Sequence, residues 1–108
     1  MKPLIWLGSA LDDIRQFPEE ARQDAGFELH QIQHGHEPSD WKPLHAVGAG
    51  VKEVRIHSHN EYRVMYVAKF AEAVYVLHVF VKKTQHTSKS DIALASTRYK
   101  QLIAMRQR

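Results

Sequence analysis

Val51-Lys52-Glu53-Val54-Arg55-Ile56-His57, then Ser58-His59-Asn60-Glu61, then Tyr62-Arg63-Val64-Met65-Tyr66-Val67-Ala68 is the stretch that decides the fold. In the first run Val54 and Ile56 alternate with Glu53, Arg55 and His57, which is the period of a strand with one apolar and one polar face. Ser58 to Glu61 has the composition of a turn, and Tyr62 to Ala68 is a second β-rich run. Lys69 to Glu72 turns the chain again, and Ala73 to Lys82 is the longest and most apolar run in the sequence. Three strands joined by short turns predict an antiparallel meander.

Upstream of the meander, Pro3 to Leu7 is a short apolar run ending at Gly8, which suits a buried strand. Ser9 is placed to cap a helix in which Leu11, Ile14 and Phe17 fall three apart, with Asp12 and Asp13 at the positive end of its dipole. Pro18 closes that helix or opens the next, in which Ala21, Ala25, Leu29 and Ile32 share a face up to His34-Gly35. Between Gly35 and Gly50 the periodicity fails at Pro38, Pro43 and Gly48, so this stretch reads as a loop anchored by Trp41 and Leu44. Downstream, the polar Thr84 to Ser90 precedes Ile92, Ala95, Tyr99 and Leu102 at helical spacing. The expected class is α+β in the order β-α-α-β-β-β-α, an antiparallel sheet with an N-terminal helical hairpin and a C-terminal helix.

The 108 residues fit one domain. Cysteine is absent, which excludes disulfides, thiolate metal sites and cysteine nucleophiles. Apolar runs near the start are too short for a signal-peptide core or a membrane span, so the expected setting is cytoplasmic. The net charge of +3 is unevenly spread. Residues 1–50 hold 4 Lys/Arg against 8 Asp/Glu, whereas residues 51–108 hold 11 against 4, so the two halves are suited to different partners.

No glycine-rich phosphate loop or nucleophile elbow is present, and no cofactor is called for. Among the eight histidines, the pairs His30/His34 and His57/His59 lack a carboxylate at a recognisable metal spacing, so no metal site is expected. The stronger constellation is cationic: Arg55, Arg63, Lys82 and Lys83 come from three consecutive strands about 5 Å apart. Arg63 lies inside an apolar strand, where an unpaired guanidinium is costly. It either pairs with Glu53 across the sheet or lines a cleft and grips an anion, a phosphate being the natural match for its fork of donors. His78 interrupts another apolar strand and by alternation shares a face with Phe80 and Lys82; it is a core histidine or a site residue. Lys82 and Lys83 point to opposite faces.

The ordered set Val51 to Arg55, Glu61 to Tyr66 and His78 to Thr84, followed by a helix from near Asp91 with Ala95 and Arg98, resembles the RelE/ParE toxin superfamily, most of all its phage-derived, HigB-like branch. That resemblance implies the toxin of a type II toxin-antitoxin pair, with a cognate antitoxin of helix-turn-helix type. It implies cutting of mRNA, often on the ribosome, with attack by the 2′-hydroxyl and no metal. By position it points to Arg63 first, then Arg55, with Lys82 or Lys83 near the end of the last strand; the strand reading adds His78 as a catalytic candidate, with Glu53 as another possible base, and Lys52, Glu53, Tyr62 and Arg98 are expected against the RNA. Glu53 stands where some relatives carry a catalytic lysine. The competing expectations are a ParE-like, non-catalytic gyrase binder and a phage-derived regulatory protein that binds nucleic acid.

Overall fold

The computed structural model describes residues 1–108. Its elements are β1 (Leu4–Trp6), α1 (Ala10–Arg15), α2 (Glu19–Gln33), β2 (Trp41–Pro43), β3 (Val51–Ser58), β4 (Asn60–Val67), β5 (Val74–Lys82) and α3 (Lys89–Arg106). The five strands form one sheet in the order β1-β5-β4-β3-β2.

The expected meander is present, and its β3–β4 hairpin is tighter than the sequence reading had it. Ser58 pairs with Asn60 around a single residue, His59, whose φ of 63° lies in the left-handed region. Two features depart from the expected sheet. First, β1 runs parallel to β5, so the sheet is mixed. The helical hairpin α1–α2 carries the chain across one face to the far edge, and the antiparallel meander then returns β5 to lie beside β1. Second, the segment read as a loop contains β2, which pairs antiparallel with β3 through Trp41, Lys42 and Pro43. Pro43 at the end of an edge strand costs no ladder bond, which is why a proline-broken segment can still be a strand.

Helices cover both faces, giving three layers. On one side Ala21, Ala25, Leu29 and Ile32 of α2 and Ile14 of α1 pack on Val54, Ile56, Val64, Tyr66, Val74 and Val76. On the other, Ala95 and Leu102 of α3 pack on Val51, Met65, Val67, Tyr75, Leu77 and Phe80. Strand β5 is buried between the layers, which accounts for its unbroken apolar run.

A bulge opposite Met65 and Tyr66 pairs them with His78 and Val76, leaving Leu77 as the extra residue. Before it, Val74 and Val76 face α1–α2; after it, Val79 does. The bulge therefore re-phases β5 and aims His78 and Phe80 to the α3 side, where an unbroken alternation from Tyr75 and Leu77 would have put Val79.

Ser9 occupies the N-cap position of α1 but makes no side-chain bond to the helix backbone. Its hydroxyl donates to Asp13 at 2.8 Å and accepts from the Arg98 guanidinium at 3.0 Å. That guanidinium lies against Gly8, where a Cβ would stand 2.5 Å from Nε, and the φ of +54° independently favours glycine there.

Candidate functional site on the sheet

The α3 helix leaves part of its face of the sheet open near the β3–β4 hairpin and β2, and the polar side chains of three strands meet there. In register, Glu53 is opposite Met65, Arg55 opposite Arg63 and His57 opposite Glu61, while Arg63 faces Phe80 and Glu61 faces Lys82 on β5. Arg55, Arg63, Lys82 and His78 thus share one face, as the alternation predicts. His78 and Phe80 are stacked with ring centroids 4.9 Å apart.

The cationic character expected of this face is largely compensated. Arg63, only 5% exposed, lies 3.1 Å from Glu61 Oε1 and 3.7 Å from Glu53 Oε1. Lys42 approaches the same Glu53 oxygen at 3.9 Å, and Arg55 lies 3.5 Å from Asp40. Glu53 is fully buried, and neither of its oxygens accepts a hydrogen bond. Of the two alternatives for Arg63, the structure shows the pairing: it is the cross-sheet partner of Glu53, held beneath a surface where Arg55 is 34% exposed. Three cations and three carboxylates balance. Lys82 and Lys83 have no carboxylate within ion-pair distance.

His57 completes the network and is the residue that sequence reasoning passed over. Its Nδ1 is 2.8 Å from Glu61 Oε2 and its Nε2 is 2.7 Å from Asp40 Oδ2. The hydrogen bond to Asp40, then that to Glu61, raises its pKa above the ordinary histidine value. The reciprocal bond from His57 holds the Asp40 carboxyl below its usual range, helped by Arg55, and holds Glu61 low with a contribution from Arg63. The signal was present in the strand alternation, since His57 follows Glu53 and Arg55 on the polar face. Asp40 could not be anticipated because it precedes the unexpected β2.

Beneath the face, His78 Nε2 lies 2.7 Å from Asp91 Oδ1, and its Nδ1 is buried without a partner. Asp91 Oδ2 accepts from Ser88 Oγ at 2.6 Å, and Ser88 Oγ accepts from the Asp91 backbone at 3.1 Å. The N-cap of α3 is thereby tied to His78, the residue that follows the bulge of β5.

None of the four RNA-facing candidates is presented on this surface: Glu53 lies on this face but is fully buried, and the other three lie elsewhere. Lys52 lies on the opposite face, in register with Tyr66, and pairs with Glu37 at 3.0 Å. Tyr62 is buried on that same opposite face, 4.5 Å from the Phe17 ring. Arg98 is buried where α3 crosses β5, donating to the Leu77 carbonyl at 2.9 Å. Lys52 and Tyr62 differ in strand parity from Glu53, Arg55 and Arg63, so alternation alone separates them. No group of three or more His, Asp or Glu side chains is spaced to hold a metal ion, and no helix is long and apolar enough to cross a membrane.

No curated protein matches the chain. A family model described as phage derived protein Gp49-like (DUF891) matches residues 12–100, a span that takes in most of α1, all of α2 and strands β2 to β5, and most of α3. The match runs through the whole of the arginine face and its supporting elements, and the chain accordingly belongs to the Gp49-like family of phage-derived proteins.

Proposed function

We propose that this chain is the toxin of a type II toxin-antitoxin pair, of the HigB-like kind, and that it acts as a metal-independent mRNA endoribonuclease that halts translation. Membership of the Gp49-like family is compatible with a toxin. The observation that carries the reading is the register pair Arg55–Arg63. Like charges directly opposite in a sheet destabilise it, and here three carboxylates and a histidine are recruited to hold the pair in place. Such an arrangement is hard to account for by folding alone and suits a surface built for phosphate.

In this reading the scissile phosphate docks at Arg55 and Lys82, which reach solvent, while Arg63 sets the field from below. Permanently protonated guanidiniums stabilise the phosphorane that forms when the 2′-hydroxyl attacks, an effect worth roughly a hundred- to a thousandfold per donor. His57, whose pKa is raised by its bonds to Asp40 and Glu61, is the candidate acid for the leaving 5′-oxygen. His78 is buried with its Nδ1 shielded from solvent and holds α3 to β5 through Asp91, so the candidate base is Lys83, exposed beside Lys82. The products are a 2′,3′-cyclic phosphate and a 5′-hydroxyl. The partners are a helix-turn-helix antitoxin and mRNA on the ribosome.

Inducing the chain in bacteria and mapping RNA ends tests this. Wild type should arrest growth with truncated transcripts, and Arg55→Ala, which removes only a half-exposed ion pair, should keep its Tm and lose cleavage by about a hundredfold. Broken DNA with intact transcripts would replace the nuclease by a gyrase binder, a reading favoured by the charge balance of the face.

A further inference from the structure

Across the sheet from the arginine face, where α2 runs out, a cavity of about 230 Å³ opens between the N-terminal segment, β3 and β4. Ile32 and Tyr66 belong to its lining, together with Lys2, Lys52, His36 and Glu37. Tyr66 is 1% exposed and reaches the cavity, yet its hydroxyl has no hydrogen-bond partner in the protein. Burial, with the charges of Glu37 and Glu28 nearby, pushes its pKa up, so the hydroxyl keeps its proton and stays a donor. The hydroxyl is not shut off from solvent, so in the open cavity it meets water, which an acceptor arriving from outside would displace.

The ammonium-bearing side chains of Lys2, Lys52 and Lys69 line the same cavity. Lys52 is in register with Tyr66, lies over the Trp41 ring at 4.5 Å and donates to Glu37 at 3.0 Å. Lys2 donates to the Ala68 carbonyl at 2.6 Å. An ammonium has three donors, so each lysine retains hydrogen-bonding capacity while its position is fixed. The donors come from three separate segments, the N-terminal strand region, β3 and β4, and so approach from different directions. The cavity is smaller than the roughly 300 Å³ at which ordinary small-molecule sites begin, which limits the occupant to one compact group.

We propose that this cavity is an oxyanion site that takes a single phosphate group on the Tyr66 hydroxyl and the ammonium groups of Lys2 and Lys52. The site goes beyond the nuclease reading and does not depend on it, because it shares no residue with the arginine face. The phosphate can be inorganic or the terminal phosphate of a nucleic acid, both offering the same tetrahedral set of acceptors.

Calorimetric titration of the purified chain with inorganic phosphate, and with one short RNA carrying either a 5′-phosphate or a 5′-hydroxyl, tests the site. Saturable phosphate binding, or tighter binding of the phosphorylated RNA than of its hydroxyl twin, is the expected result and identifies the source. Tyr66→Phe fills the same volume and discards an unpartnered hydroxyl, so it should fold with an equal or higher Tm and weaken the phosphate-dependent binding about tenfold. Lys2→Gln should weaken it as well. Absence of saturation by both probes, or a Tyr66→Phe chain that binds as wild type does, overturns the proposal; cleavage activity, which belongs to the other face, is unaffected by that outcome.

Discussion

At the level of single residues, Glu53 governs what can be done to Arg63. A fully buried carboxylate without hydrogen bonds is tolerable only while its cations remain, and Arg63 Nε and Lys42 Nζ are those cations. Arg63→Ala should therefore destabilise the fold by about 3–5 kcal/mol, read from chemical unfolding, and much of that loss should return in Arg63→Ala/Glu53→Gln. A single variant that retained full stability would show that Glu53 is satisfied some other way. Loss of activity in Arg63→Ala is consequently no evidence of catalysis, and Arg55 is the better probe. His57 gives a pH signature. Its folded-state pKa is raised, so its stabilising effect is fully present below about 6.5 and is lost as pH rises through the higher folded value. Asp40 and Glu61 are lowered, and their contribution is present above the ordinary carboxylate range and is lost as pH falls through the lower folded values. Between those limits the clasp is strongest. The wild-type Tm should fall from pH 6 to pH 9 more than that of His57→Gln; parallel curves would remove the histidine from the network.

At the level of elements, α3 is secured by polar contacts at both its start and its middle. Ser88 and Asp91 cap it and reach His78, and Arg98 joins it to β5 and to the β1–α1 turn. Arg98→Met keeps the bulk of the side chain but strips the Leu77 carbonyl and Ser9 hydroxyl of a charged donor, for an expected loss of about 2–3 kcal/mol in urea unfolding with an unchanged m-value. If the stability were untouched, the stem of Arg98, not its head, would be what joins α3 to the sheet. This residue also marks a limit of sequence reading. An arginine at helical spacing in a basic tail looks like a surface cation, and only the tertiary structure reveals that a glycine at position 8 has made room for its head. By contrast, the two faces of β3 were legible, because alternation is a local property; the hairpin register was not, since a turn over Ser58 to Glu61 would set His57 opposite Tyr62, where the structure sets it opposite Glu61. Strand β2 was not legible either, since three residues with a proline carry no period of their own and exist as a strand only because β3 offers an edge.

At the level of the whole molecule, the division between an acidic first half and a basic second half becomes a division between covering and covered. The acidic hairpin α1–α2 lies over one side of the sheet and sends Asp40 and Glu37 to meet arginine and lysine of β3, so part of the charge contrast is spent inside the molecule. The class α+β, and the order of every element but β2, were readable from periodicity. The parallel pairing of β1 with β5 was not, because a short apolar run holds no information about its neighbour. That pairing sets the order in which the molecule can come into being. Leu4 finds Val74 only after the helical hairpin and three intervening strands have left the ribosome. During synthesis the first strand waits without a partner, and the sheet closes late, since contacts between distant parts of a chain form slowly. Any activity that needs the finished sheet is therefore withheld from the growing chain until β5 has been made.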